Sequence, residues 1–489
     1  MAMMTGAEYI ASIRGLELQA RVLGADQAAL VDDPLVAPSL RAVAATYDAA
    51  RSAAGRDLAC AQSSLTGEPI NRFTHLHQSP ADLVAKVRLL RHLGNVTACC
   101  FQRCVGLDAA NAVFSVTFEC DRQHGTRYHD RFREFWLQVQ RRDLTVDGAM
   151  TDPKGDRGKR PAQQADPDLF VRVVARRPGG VVIRGAKLHQ TGMLNAHEIL
   201  VMPTMAMRPG EEQYAICCAL PTGAAGVRHL YGRQASDTRK REAGAPDAGN
   251  ATFGGQEVMT VFDDVFVPDE RVFLCGEVDW SGPLVERFAG YHRQSYGGCK
   301  VGVGDVLIGA SAWLARLNGV DGASHVRDKL VEMVHLNETM FSCGVACSAF
   351  GHATAAGNYE IDLLLANVCK QNVTRFPHEI ARLATDLAGG LLGTMPALGD
   401  LGDPVVGPYL RKYLATVPGV DPVDRMKVLR LVENLVAGAG AVGYLIESVH
   451  GAGPPQAQRI MIGRQADLEG KIGLARTLLG HSPAGASGR

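Results

Sequence analysis

At 489 residues, 46% of them hydrophobic and 21% charged, the chain is long enough for two or three domains around a generous core. Its 51 basic and 51 acidic residues cancel, so neither nucleic acid nor an anionic membrane is an expected partner. Twelve cysteines without a secretory signal point to a reducing, cytoplasmic setting, and no apolar run reaches the roughly 18 residues of a membrane span.

Residues 1 to about 142 read as helical. The opening Met-Ala-Met-Met-Thr-Gly leads into an amphipathic helix. Ser79-Pro80-Ala81-Asp82 is a helix start, with Ser79 as N-cap, Pro80 in the first turn and an acid behind it. The helix that follows, with Leu83, Val84, Val87, Leu90 and Leu93 on one side, runs towards Cys99-Cys100-Phe101-Gln102-Arg103-Cys104-Val105-Gly106. There Cys100 and Cys104 stand at i,i+4, expected about 40° apart on one helical face.

From about 143 to 278 the pattern changes to short β-branched runs broken by Gly and Pro: Leu169-Phe-Val-Arg-Val-Val, Gly180-Val-Val-Ile-Arg, His197-Glu-Ile-Leu-Val-Met and Asp264-Val-Phe-Val-Pro. The polar run from Asp237 to Asn250 between them is expected as a loop. From about 279 to Leu479 long Leu/Ala/Val-rich helical periods return, and the Ser482–Arg489 tail is expected to fray.

The first of these later helices carries His292-Arg293-Gln294-Ser295-Tyr296-Gly297-Gly298-Cys299-Lys300, with His292, Tyr296 and Cys299 on one stripe at i, i+4 and i+7. If this stripe faces Cys100 and Cys104, three thiolates and one imidazole converge on a metal site. Such a donor set suits a structural zinc or an iron–sulfur cluster; the short C-x2-C of zinc sites is missing, and the wider cluster fits better. Buried core cysteines are the plain alternative. Cys343 and Cys347 show the contrast: they are also i,i+4, in a small apolar run, and read as helix packing.

Tyr296 and Lys300 lie a turn apart beside the stripe, placed to donate hydrogen bonds or protons. Gly297-Gly298 costs a helix roughly 1 kcal/mol per glycine, which suggests close approach of a cluster or a flavin ring. Asp386-Leu-Ala-Gly389-Gly390, followed by Thr394, offers backbone N–H groups to a diphosphate, a weak signal. Helices, then strands, then helices fit an α+β multidomain fold: an N-terminal helical domain (1–142), an antiparallel β domain (143–278) and a C-terminal helical bundle (279–489), with a flavin between the last two.

Two segments, Met150-Thr-Asp-Pro-Lys-Gly-Asp-Arg157 and Lys187-Leu-His-Gln-Thr-Gly192, resemble the flavin-contacting segments of the 4-hydroxyphenylacetate 3-hydroxylase superfamily, whose fold is acyl-CoA dehydrogenase-like. The Cys100/Cys104 and His292–Lys300 segments, with Glu447-Ser-Val-His-Gly-Ala-Gly-Pro-Pro-Gln-Ala-Gln-Arg459, resemble its iron–sulfur branch, the 4-hydroxybutyryl-CoA dehydratases with vinylacetyl-CoA Δ-isomerase activity. The resemblance covers almost the whole chain. It implies FAD contacts at Thr151, Lys154, Gly155, Asp156, Arg157, His189, Gln190 and Thr191, and a [4Fe-4S] cluster on Cys100, Cys104, His292 and Cys299. Glu257 and Glu447 become active-site carboxylates beside Tyr296, Lys300 and Thr191. Asp386, Gly389, Gly390 and Thr394 would reach the flavin of a neighbouring subunit in a homotetramer.

The same resemblance implies the chemistry. The C3 proton of 4-hydroxybutyryl-CoA is not acidic, so FAD withdraws one electron after His292 has taken the thioester-acidified C2 proton. Loss of the C3 proton and of the C4 hydroxyl, with the cluster as Lewis acid, is followed by return of the electron and of one proton, which gives crotonyl-CoA and water with no net redox change. A flavin-dependent aromatic hydroxylase and a zinc-stabilised non-catalytic protein are the alternatives.

Overall fold

The computed structural model describes residues 3–27, 29–234 and 249–481. The expected loop from Asp237 falls outside these residues except for Gly249 and Asn250, and so does the Ser482–Arg489 tail.

Thr5 opens helix α1 (Gly6–Arg14) with a complete capping box to Glu8. The strands β1 (Ala20–Val22) and β2 (Ala25–Gln27) follow, then helix α2 (Ala37–Asp48). Helix α3 (Pro80–Thr97) begins where Ser79 predicts it, the Ser79 hydroxyl accepting from the Asp82 N–H at 3.2 Å. Helices α4 (Cys104–His124) and α5 (Tyr128–Arg142) complete the N-terminal region.

The middle region supplies β3 (Val146–Ala149), β4 (Arg172–Arg177), β5 (Gly180–Thr191), β6 (Glu198–Val201), β7 (Ile216–Pro221), β8 (Val227–Tyr231), β9 (Glu257–Pro268) and β10 (Val272–Cys275). They form a six-stranded sheet, β2-β1-β8-β9-β5-β4, and a four-stranded sheet, β10-β7-β6-β3. The expected α+β order of helices, strands and helices is borne out, with two refinements. The N-terminal region is not wholly helical, because its β1–β2 hairpin extends the larger sheet through parallel pairing of β1 with β8. The sheets are mixed, since β3 also runs parallel to β6.

The C-terminal region is built on α6 (Val278–Leu317), a helix of 40 residues, with α7 (Ser324–Ala349), α8 (Leu363–Val373), α9 (Phe376–Ala388) and α10 (Pro422–Val436) around it. By length and composition α6 could cross a membrane, yet 67% of its most apolar window is buried inside the molecule: its apolarity serves the core.

Glycines let neighbouring helices approach α6 closely. A Cβ on Gly298 would lie 2.5 Å from the Val87 carbonyl of α3, and one on Gly297 2.7 Å from the Gly344 Cα of α7. The Gly297-Gly298 pair is therefore explained by helix–helix contact, and the expectation that it marks a cluster or flavin is corrected. Cys347, on α7, is fully buried packing, as its small apolar surroundings suggest.

Candidate active site

Helix α6 presents His292, Tyr296 and Cys299 along one stripe, as their spacing requires. The expected helical stripe of Cys100 and Cys104 does not exist. Helix α3 stops at Thr97, Ala98 and Gln102 take left-handed conformations (φ 48° and 69°), and only Cys104 belongs to a helix, as the first residue of α4. The reason is tertiary. The Gln102 side chain is held by the Asn195 amide at 2.6 Å, against a turn where a Cβ on Gly192 would lie 2.3 Å from Gln102 Oε1. Cys100 thus reaches the site from a helix break.

The thiols still gather. Cys104, Asp108 and His292 offer donor atoms that all lie within 4.8 Å of one another. Burial pushes Cys100 and Cys104 far above the ordinary thiol range, and each thiol is raised further by its neighbours, Cys299 among them. Burial likewise raises Cys299.

Behind His292 stands a network that the spacing does not reveal. Asp108, on α4, is fully buried. Its Oδ2 lies 2.9 Å from His292 Nδ1 and 2.9 Å from the Ser295 hydroxyl, which donates to it. Its Oδ1 accepts from the buried Lys86 ammonium, which also donates to the Gln294 amide oxygen at 2.9 Å and to the Tyr291 carbonyl at 3.1 Å. Burial opposes the Asp108 charge, but Lys86 and then His292 outweigh it and hold the carboxyl below the usual range. The His292 ring stacks on Phe288 with centroids 5.6 Å apart and meets the Tyr296 ring edge-on at 5.2 Å. The available signals were a lysine on the buried side of α3, among Leu83, Val87 and Leu90, and an acid one turn after Cys104.

On the other side, residues 442–452 cross the site. Val442–Ile446 forms a π-helical turn, a geometry that often marks functional sites, and Glu447–His450 continues it. Three buried basic side chains hold this segment by its carbonyls: Lys300 donates to Gly443, Lys370 to Ser448 at 2.5 Å and Arg293 to Ala452 at 3.1 Å. Lys300 also pairs with the Glu447 carboxylate at 2.5 Å. Burial disfavours the Lys300 charge, but Glu447 and the neighbouring thiols more than compensate and raise it. Lys300 and Lys370 lie 5.0 and 4.6 Å from the centre of the Tyr296 ring.

Glu257 begins β9, an interior strand. The Thr191 hydroxyl donates to its carboxylate at 2.8 Å, so that hydroxyl is spent on Glu257. Burial, then the adjacent Glu447 carboxylate, drives Glu257 well above the ordinary carboxylate range.

The candidate flavin residues divide. Thr151 is tied to β5 by its carbonyl, which accepts from the Leu188 N–H at 2.8 Å. The buried Lys187–Asp152 pair, 2.9 Å apart, pins the same segment. Lys154, His189 and His450 come together: burial first, then the Lys154 and His450 charges, lower the His189 imidazole. Gln190 is buried and donates to the Leu188 carbonyl at 2.6 Å. Gly155, Asp156 and Arg157 lie on an exposed loop, where the Asp156 carboxylate accepts from Gly158 N–H at 3.0 Å. Asp386, Gly389, Gly390 and Thr394 lie apart on the outer surface, and Asp386 pairs with Lys329 at 2.7 Å.

Residues 5–274 match the family model described as 4-hydroxyphenylacetate 3-hydroxylase N terminal, and residues 281–480 the corresponding C terminal model. Over 487 residues the chain is 55% identical to a 4-hydroxybutyryl-CoA dehydratase/vinylacetyl-CoA-Delta-isomerase of Clostridium aminobutyricum, covering 98% of this chain and 99% of that one. An oxygen-tolerant archaeal 4-hydroxybutyryl-CoA dehydratase from N. maritimus superposes with a TM-score of 0.96 at 51% identity, covering 98% and 96% of the two chains. The oxygenase component of 4-hydroxyphenylacetate 3-monooxygenase, solved with FAD, shares the fold at a TM-score of 0.85 and 22% identity, covering 97% and 98%. With both halves matched and a relative this similar along its full length, the chain belongs to the 4-hydroxyphenylacetate 3-hydroxylase family, in its 4-hydroxybutyryl-CoA dehydratase branch.

Proposed function

We propose that the protein dehydrates 4-hydroxybutyryl-CoA to crotonyl-CoA and isomerises vinylacetyl-CoA to the same product. The observation that carries this reading is the meeting of soft donors with paired acids: Cys104 and His292 beside the thiols of Cys100 and Cys299, and Glu257 against Glu447, which itself pairs with Lys300. An aromatic hydroxylase has no use for the former. The buried thiols of Cys104 and Cys299, the half-buried Cys100 and an imidazole fit a [4Fe-4S] cluster, because the positive charge of iron offsets the desolvation that otherwise keeps those thiols protonated. Thr151, Lys154, His189 and Gln190 are the residues that would hold FAD, between the β region of 143–278 and the helices from 279 onward. A homotetramer, in which Asp386, Gly389, Gly390 and Thr394 serve a neighbour's flavin, completes the proposal, along with a cytoplasmic setting.

When bound, FAD supplies a store for one electron and the cluster a Lewis acid for the C4 oxygen. The protein's own residues handle the protons. His292 is the base for the thioester-acidified C2 proton, with its Nδ1 turned to Asp108. Tyr296 and Lys300 are donors at the leaving hydroxyl. Glu257, whose charge is disfavoured by burial and by Glu447, is placed to hand on a proton, and Thr191 fixes its orientation.

Anaerobic purification tests the proposal, with iron, sulfide and flavin analysis and an assay of crotonyl-CoA formed from 4-hydroxybutyryl-CoA. Broad absorbance near about 400 nm and turnover are expected from a cluster enzyme. Two flavin bands alone, with oxygen-dependent phenol hydroxylation, would establish the hydroxylase instead. Zinc without iron or labile sulfide would establish a structural metal protein.

A further inference from the structure

We propose that Asp108, oriented by Lys86, is a positioning residue that fixes the tautomer of His292 and so leaves its Nε2 lone pair free for the metal or, once released from the metal, for the substrate proton. The second of these roles rests on the dehydratase reading; the first does not.

The argument turns on which oxygen of Asp108 meets which partner. Lys86 offers only N–H donors, and it lies on Oδ1. The Ser295 hydroxyl and His292 Nδ1 lie on Oδ2. An ionised carboxylate only accepts, so the proton of a neutral His292 must sit on Nδ1, and Nε2 carries the lone pair. A ligating imidazole commonly gives its second N–H to a carboxylate in this way. Both Asp108 oxygens are thereby engaged, which makes Asp108 a support for the ligand and not itself a ligand, although it lies in the same cluster of donors. Phe288 stacked on one face and Tyr296 at the edge hold the plane of the ring, so the hydrogen bond decides which nitrogen points inward.

Lys86 makes the proposal testable through an unusual pair of variants. In Asp108→Asn the ammonium can be met only by the amide oxygen, because Lys86 has no acceptor. The amide NH2 is then forced towards His292 Nδ1. Nδ1 must accept, the ring proton moves to Nε2, and Nε2 can neither bind iron nor take a proton. In Lys86→Met/Asp108→Asn nothing dictates the amide orientation. It can turn its oxygen to His292 and Ser295 and restore the original tautomer.

Asp108→Asn should therefore lose iron on anaerobic purification and lower kcat for vinylacetyl-CoA isomerisation on the order of 100-fold or more, with KM little changed. The double variant should regain iron and recover at least about tenfold of that loss, a reversal that simple loss of charge does not produce. Iron content and kcat in Asp108→Asn equal to those of the unmodified protein would overturn the proposal. So would a double variant no better than the single one, or one that fails to fold, since Asp108 would then be a charge or a structural residue only. If the unmodified protein binds iron but turns over neither thioester, the dehydratase reading fails, and the iron measurements still decide the tautomer.

Discussion

Gly451→Ala isolates one contact in the site. The glycine has ordinary extended backbone angles (φ −63°, ψ 145°), so alanine brings no conformational strain, and any effect is steric. Its Cβ would stand 1.7 Å from the Tyr296 hydroxyl oxygen and 2.9 Å from the Glu447 carbonyl oxygen. Ordinary contact needs about 3.5 Å, so one partner must move by nearly 2 Å. Tyr296 cannot easily yield, with Lys300 and Lys370 over its ring and His292 against it. The turn must lift instead, taking Glu447 away from Lys300.

Overpacking of this kind costs about 1–3 kcal/mol, and a displacement of roughly 1 Å at reacting groups costs on the order of 100-fold in rate. Thermal melting and steady-state dehydration should thus show a small drop in Tm and a much larger drop in kcat. Gly463→Ala, where an added Cβ meets nothing within 4 Å, is the control. A Gly451→Ala enzyme with unchanged Tm and kcat would refute the reasoning, because the close approach would then carry no constraint.

Three further outcomes are expected. Cys100→Ala, Cys104→Ala and Cys299→Ala should each lose iron and dehydration together, whereas Cys99→Ala keeps both; iron lost from Cys99→Ala but kept in Cys100→Ala would shift the ligand assignment by one residue. His292→Cys should retain iron, since a thiolate is a good ligand, yet lose both activities for want of a base; retained activity would move the base elsewhere. Burial pushes Asp147 up to about 7, so the folded protein holds a proton there that the unfolded chain releases near its ordinary carboxylate value. Its contribution to stability is present in full at low pH and is lost as pH rises to about 7, by up to about 4 kcal/mol in all. The Tm advantage of Asp147→Asn over the unmodified protein should accordingly grow between about pH 4 and 7 and then level off, and a pH-independent difference would show that Asp147 does not take up that proton.

What the sequence determines by itself is local. Ser79-Pro80-Ala81-Asp82 caps its helix because the groups that satisfy one another lie within four residues. His292, Tyr296 and Cys299 share a face because helical periodicity alone puts them there. The β-branched runs of the middle region become strands for the same local reason. Only the tertiary structure decides how these pieces meet. The break at Cys100, left-handed at Ala98 and Gln102, arises because the turn at Gly192–Asn195, far along the chain, grips Gln102. Gly297 and Gly298 look like room for a cofactor and prove to be the seats of α7 and α3. Lys86 and Asp108 look out of place on apolar helix faces, and their pairing becomes visible only when α3, α4 and α6 close around His292. A buried charge is tolerated only beside its partner, and the partner is chosen by packing between elements far apart in the chain.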